Sequence, residues 1–226
     1  MLIKKYSVIV PALNEAEYIG ATLARLQVAR ARGHEVILVD GGSTDGTCEI
    51  AAGMVDRVLE CAPGRAAQMN HGARSAHGDI LIFLHADTWL HSEFDRILDK
   101  TGISEQGWGY FDIRLSGGHF MFRCIEKLMN LRVGVTGIVT GDHTIFTGRH
   151  IFRRLRGYAD IPLMEDVELT GRLNKMSPPT RIRQSVTSSS RRWEKHGIAR
   201  TVLLSWALRF CYALGFDPRD LVKQYY

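Results

Sequence analysis

Cysteine is scarce. The chain of 226 residues has four, Cys48, Cys61, Cys124 and Cys211, far apart and without a CxxC pair. That spacing excludes a disulfide-stapled fold and a zinc site, and predicts reduced, mostly buried thiols in a cytoplasmic protein. Long apolar runs are also missing: no uncharged stretch reaches the roughly 20 residues of a membrane span. The opening Met1-Leu2-Ile3-Lys4-Lys5 lacks the apolar region of a signal peptide and runs straight toward a strand. The expectation is a cytoplasmic chain, at most peripheral at the inner membrane face. Repeats and low-complexity tracts are absent. Neither charge sign dominates: 29 Lys and Arg against 24 Asp and Glu leave a formal net charge of +5. The excess would suit an anionic ligand or a membrane surface, but the cations are scattered, which argues against a nucleic-acid partner. With 45% hydrophobic and 23% charged residues, disordered and fibrous classes are excluded as well.

What is present is an alternation of apolar runs and helical spacings. Strands are predicted over 6–10, ended by Pro11, and over 35–39, 55–61 and 80–84. Between them lie helical patterns over 16–32, from Ser43 onward, and over 64–77. Near-continuous apolar strands separated by helices predict an α/β fold, with a mostly parallel sheet covered by helices on both faces. The second half is less regular. A strand is predicted over 108–115 and a helix over 120–131, followed by a Gly- and Val-rich loop leading to Gly141-Asp142-His143. A helix begins at Glu165 and extends to Asn174, Pro178-Pro179 break it, and a strand follows over 182–187. The tail over 198–216 reads as one helix, able to pack on the core, form a homodimer seam or lie on a membrane, with core packing the default.

Sites in such sheets lie at the carboxyl ends of the strands, which directs attention to 11–15, 40–43 and 85–87. Asp40-Gly41-Gly42-Ser43 could receive a ligand closely, with Asp40 accepting from a base or ribose, or could simply turn a strand into a helix capped by Ser43 or Asp45. Glu15 follows Asn14, and the pair could equally cap a helix. Asp87 beside His85 could share Mg²⁺ or Mn²⁺ with a diphosphate, or cap the run after it. Arg65, Gln68 and Gly72 share one helix face, and Arg65 could hold a phosphate or stay solvated. Glu165 and Asp166 open a helix, where a carboxylate could deprotonate an acceptor hydroxyl or merely favour the dipole. Arg191-Arg192-Trp193-Glu194-Lys195-His196 sets four possible cations beside an indole, for a diphosphate or for a solvated helix start with Trp193 packed in the core.

Four stretches in series, VIVPALNEAEYI, EVILVDGGSTDGT, GRAAQMNHGARSAHGDILIFLHADT and PLMEDVELTGRL, resemble the family 2 nucleotide-sugar glycosyltransferases of the GT-A, Rossmann-like fold. GDHTIFTGRHIFRRLRGYADIPLMED, SSSRRWEKHGIARTV and LGFDPRDLVKQYY resemble one bacterial branch whose names link it to arsenosugar biosynthesis, and which is similar to carotenoid-acid glycosyltransferases. The resemblance implies a single domain, with a nucleotide-binding half over about 1–115 and an acceptor half with C-terminal helices over about 116–226. It implies that Pro11, Glu15, Asp40 and Gly42 hold the nucleotide, most often uridine, with Arg65 near the base or diphosphate. Asp87 matches the last Asp of the family's DXD motif, a ligand of the divalent metal, with His85 a possible second ligand. Asp166 matches the general base of inverting members, with Glu165 beside it, and Arg192 and Trp193 match an arginine–tryptophan pair near the diphosphate.

Three departures stand out. The DXD motif is reduced to His85-Ala86-Asp87, the double aspartate after the second strand is Asp40-Gly41, and Ser189 stands where processive synthases carry Gln or Arg. The implied function is transfer of one sugar from a nucleotide diphosphate donor, UDP-linked, to a small or lipid-like acceptor, with inversion. A nucleotidyltransferase and a non-catalytic nucleotide-binding module are the alternatives.

Overall fold

The computed structural model describes residues 4–225, with side chains described to residue 222. Met1, Leu2, Ile3 and Tyr226, where the opening and closing stretches were read from sequence, lie outside the described residues. The first half runs β1 (Tyr6–Ala12), α1 (Ala16–Ala24), α2 (Gln27–Ala31), β2 (Glu35–Asp40), α3 (Thr47–Ala51), β3 (Arg57–Glu60), α4 (Arg65–Ser75) and β4 (Ile80–Phe83). There follow β5 (Thr88–Trp89), α5 (Phe94–Thr101), β6 (Trp108–Leu115), α6 (Phe120–Thr136), a 3₁₀ turn at Gly141–His143, β7 (Ile145–Gly148) and α7 (Arg149–Arg154). The chain closes with α8 (Glu165–Asn174), β8 (Thr180–Ser188), α9 (Arg191–His196), α10 (Ile198–Ala213) and α11 (Pro218–Tyr225).

One sheet holds all eight strands, in the order β3-β2-β1-β4-β7-β6-β8-β5. β3, β2, β1 and β4 are parallel; β2, β1 and β4 are buried along their whole length, whereas the edge strand β3 alternates half-buried and exposed residues. The rest corrects the expectation of a mostly parallel sheet. β7 returns antiparallel against β4, β6 pairs antiparallel with β7, and β5 pairs antiparallel with β8. The sheet is therefore mixed. The short run of β7 lay hidden behind the glycine-rich loop.

Side chains of β1 alternate between two apolar layers. Tyr6, Val8 and Val10 pack with Ile19, Leu23 and Leu26, whereas Ile9 packs with Met69, Ala73 and Leu169. Helices thus cover both faces of the parallel half. Gly72 brings α4 close to the strands, since a Cβ there would stand 2.5 Å from Ile9. Gln68 on the same helix donates to the carbonyls of Ala12 and Val39, tying α4 to the ends of β1 and β2.

Three local readings change. Pro11 does not end β1 but lies within it, opposite Val39. Pairing with β4 stops at Ile9, so one edge of β1 is free beyond that point and tolerates a residue with no N–H. The helix expected over 16–32 divides at Arg25-Leu26, where Leu26 N–H tightens onto the Leu23 carbonyl. The cysteines are free, but Cys124 is exposed and the other three are only half-buried.

Candidate active site

Loops 12–16 and 41–47, which follow the first two strands, are stitched to each other. Asn14 N–H donates to Ser43 Oγ, Glu15 N–H to Thr47 Oγ1 and Ala16 N–H to Asp45, while Thr44 N–H donates to Asn14 Oδ1. Those bonds occupy the residues expected to start a helix at Ser43, so α3 begins only at Thr47. Asn14 sits at φ 54° and leaves the N-cap of α1 to Glu15, whose side chain makes no capping bond. Asp40, buried at the end of β2, spends its carboxylate on its own loop: Oδ2 accepts from Gly42 and Ser43 N–H at 2.8 Å, and Oδ1 from the Ser43 hydroxyl. Burial pushes the Asp40 carboxyl up, but these bonds outweigh it and hold it below the ordinary range. Gly42 turns this loop at φ 96°, a left-handed conformation that favours glycine.

Glu15 and Asp87 meet through a residue that the motif reading passed over. Arg191, the first residue of α9, donates from Nη2 to Glu15 Oε1 at 2.7 Å, and its Nε lies 3.2 Å from Asp87 Oδ2. Its guanidinium also covers the Tyr18 ring at 4.5 Å. The other Glu15 oxygen, Oε2, is buried without a partner. Arg192, the expected residue, is half-buried beside it. Trp193 packs against Ile113, Leu115, Phe122 and Ile125, the core position weighed as its alternative. Arg191 and Arg192 stand side by side in the run of cations, and the contacts with Glu15 and Asp87 fall to Arg191.

His85 and Asp166 converge on the 3₁₀ turn. His85 Nδ1 lies 3.4 Å from Asp142 Oδ1, and Gly141 N–H donates to Asp166 Oδ2 at 2.6 Å. A Cβ on Gly141 would stand 2.4 Å from His85 Nε2, so glycine lets the turn approach the ring. Burial opposes charge on His85, but the Asp142 contact prevails and raises its pKa, while Asp142 is held well below the usual carboxylate range. Asp166 Oδ1 accepts from Val167 N–H. Glu165 is buried and lies 3.4 Å from Arg65; burial first, then the adjacent Asp166, raises its pKa. Arg65 thus faces the carboxylate pair. Asp142 was noted only as part of a loop.

Asp87 and His85 lie two residues apart in the loop after β4. A carboxylate and an imidazole two residues apart are acceptable ligands for Mg²⁺ or Mn²⁺, which often completes its shell with substrate phosphates. A cation, the Arg191 guanidinium, already lies against Asp87. Among the described residues no group of three His, Cys, Asp or Glu side chains could hold a metal by itself.

These strand-end loops, the bridging arginine and the carboxylate pair lie in or after a stretch that a family model matches. Residues 7–98 match the family described as Glycosyl transferase family 2. The chain is 28% identical over 155 residues, 62% of its length, to an undecaprenyl-phosphate 4-deoxy-4-formamido-L-arabinose transferase of Serratia proteamaculans, and covers 47% of that protein. It spans about half the length of the curated relatives it matches. The fold is similar to S. aureus TarS in complex with UDP-GlcNAc, with a TM-score of 0.66 and 19% identity over 82% of this chain and 58% of that one. It is likewise similar to the mannosyltransferase PcManGT of Pyrobaculum calidifontis in complex with GDP-Man and Mn²⁺, with a TM-score of 0.61 and 21% identity over 84% and 57%.

Proposed function

We propose that this chain transfers one sugar from a nucleoside diphosphate donor, UDP-linked, to a lipid-like acceptor, with inversion. The observation that carries the reading is the Arg191 bridge between Glu15 and Asp87, which joins the loop after β1 to the loop after β4. In this reading Pro11, Glu15, Asp40 and Gly42 line the nucleoside, with Asp40 shaping the loop through its internal bonds. Arg191 and Arg65 face the diphosphate and offset the charge that develops on it as it leaves. Asp87, with His85, would hold Mg²⁺ or Mn²⁺, which when bound stabilises the leaving diphosphate as a Lewis acid.

Asp166 acts as the base. Gly141 N–H fixes one oxygen and Val167 N–H the other, and each keeps a lone pair that can accept the proton of the acceptor. Glu165 pairs with Arg65 at 3.4 Å. The lipid-like acceptor follows the name of the Serratia relative. No helix among the described residues is long and apolar enough to cross a membrane, so we read the contact with lipid as peripheral, at the cytoplasmic face. The chain is read as one domain, and the narrower arsenosugar label rests on the motifs alone.

A thermal-shift panel of nucleotides and nucleotide sugars, with and without Mn²⁺, tests the donor reading. Ligand at about 100 times its Kd adds roughly 2.7 kcal/mol, a rise of about 5–10 °C for a chain of this size. UDP and UDP-sugars should give this rise with metal, and Asp87→Ala should lose the metal-dependent part. A flat panel across all nucleotides would overturn the reading.

A further inference from the structure

Strands β5, β8 and β6 border a cavity of about 300 Å³ that the proposed chemistry leaves unused. Its floor follows from strand register. Trp89 of β5 stands opposite Thr187 of β8, and Thr187 stands opposite Arg114 of β6. Residues paired in this way project from one face of a sheet, so an indole, a hydroxyl and a guanidinium form a row. All three line the cavity, as does Ser185 of β8. Arg25, which follows α1, joins them with its guanidinium 5.0 Å from the centre of the Trp89 ring. A cavity of this volume is at the lower end of those that hold small molecules.

The lining sets the chemistry of the ligand. No Asp or Glu is among the lining residues. Among the described residues the Arg114 side chain makes no hydrogen bond or ion pair, and the Arg25 side chain meets only the Trp89 ring. The hydroxyls of Ser185 and Thr187 form no hydrogen bond among the described residues either, and Trp89 Nε1 is buried without a partner. Two guanidinium forks balance a phosphate monoester, which carries about −1.5 to −2 charges at neutral pH, better than a single carboxylate. Hydroxyls and an unsatisfied indole N–H beside those cations suit a hydroxylated body, whose groups both donate and accept.

The cavity shares its framework with the donor loops. Ser116, also in its lining, accepts from Ser190 N–H at 3.1 Å, and Ser190 immediately precedes Arg191. Trp89 lies two residues beyond Asp87, and Ser189 N–H donates to the Asp87 carbonyl. The segments that wall the cavity therefore continue into Asp87 and Arg191.

We propose that this cavity is a second ligand site, separate from the donor site, which takes a small phosphorylated polyol. Arg25 and Arg114 hold its phosphate over Thr187, and its hydroxylated body lies along Ser185 and Trp89.

Tryptophan emission of the full chain tests this, titrated with glycerol 3-phosphate, glucose 1-phosphate, glucose 6-phosphate, their parent polyols and inorganic phosphate. At least one phosphorylated polyol should bind tenfold or more tightly than its parent and than inorganic phosphate. Trp89→Phe should abolish the emission change. Arg25 and Arg114 are exposed, so their replacement leaves the fold intact. Arg114→Ala and Arg25→Ala should each weaken binding at least tenfold, with Arg114→Lys in between. Saturating UDP should leave the affinity unchanged. Silence with all three phosphorylated probes, equal affinity for inorganic phosphate, or full affinity in Arg114→Ala would overturn the site. So would an emission change that survives Trp89→Phe, or displacement by UDP, since the ligand would then sit elsewhere. UDP-induced thermal shifts keep the donor reading separate: their absence would sink that reading and leave this site to be decided by Arg114→Ala and Trp89→Phe.

Discussion

Arg191 Nη2 lies 2.7 Å from Glu15 Oε1, a contact between residues 176 positions apart. The same side chain reaches Asp87 and covers Tyr18, so one guanidinium joins α9 to the loops after β1 and β4. Without it, Glu15 and Asp87 would lose the cation that lies between them. The arginine therefore both holds the site together and sets its charge.

Replacing Arg191 should expose that dependence. Arg191→Ala is expected to lower kcat/KM for the donor at least tenfold, about 1.4 kcal/mol of transition-state stabilisation. Arg191→Lys should recover only part, since a single ammonium cannot span both carboxylates in the same geometry. Arg192→Ala should leave kcat/KM within about twofold. Steady-state kinetics on the three variants decides between the neighbours; a larger loss at Arg192 would reverse the assignment.

Asp166→Asn keeps the shape but cannot take a proton, and its amide oxygen can accept from only one of the Gly141 and Val167 N–H groups. Transfer should fall by about 10²–10⁴, the usual contribution of a positioned base. Donor affinity should stay within about twofold. Single-turnover transfer and nucleotide titration on one preparation separate the two effects, and retained turnover would remove Asp166 as the base.

Gly141→Ala tests the turn that links His85 to Asp166. The added methyl would stand 2.4 Å from the imidazole Nε2, so ring or turn must shift. A cost of about 1–3 kcal/mol in stability is expected from overpacking, together with a loss of transfer out of proportion to the fall in melting temperature. A drop in stability with normal turnover would mean that the turn only fills space.

His143 gives the fold a pH dependence. It is fully buried, its Nδ1 bonds the Phe111 carbonyl, and its ring packs edge-on against Tyr110. Burial, aided by Arg132 and opposed by Asp142, Asp112 and the Phe111 bond, pushes its pKa from 6.5 down to about 4. The unfolded chain takes up that proton first, so stability falls as pH drops through 6.5 and stops falling near pH 4. The His143 contribution between pH 7 and pH 5 is about 2 kcal/mol. Denaturant midpoints at both pH values should separate further in wild type than in His143→Asn; equal separation would mean that the ring is charged or hydrated in the fold.

Several elements were legible in the residues. β6 and α8 fall where the sequence places them, over Trp108–Leu115 and Glu165–Asn174, because apolar spacing and terminal breakers act locally. The strand-end loops carrying Glu15, Asp40 and Asp87 were also legible, since parallel strands fix where their C-terminal ends lie. α10 was visible as a helix, and its default assignment to the core held for Thr201 and Leu208 while Leu203, Trp206 and Phe210 stayed outside.

Tertiary structure decided what depends on contacts between distant segments. The antiparallel return of β7 follows from pairing with β4, which no local pattern in a four-residue strand specifies. The side chains of Ser43, Thr44 and Asp45 bind the neighbouring loop instead of starting a helix there, a competition settled by the donors that loop supplies. Which arginine of a consecutive pair meets Glu15 follows from how α9 docks. The sequence alone determined the elements and the chemistry each could offer; docking determined which groups face one another, because burial and charge pairing act through space and not along the chain.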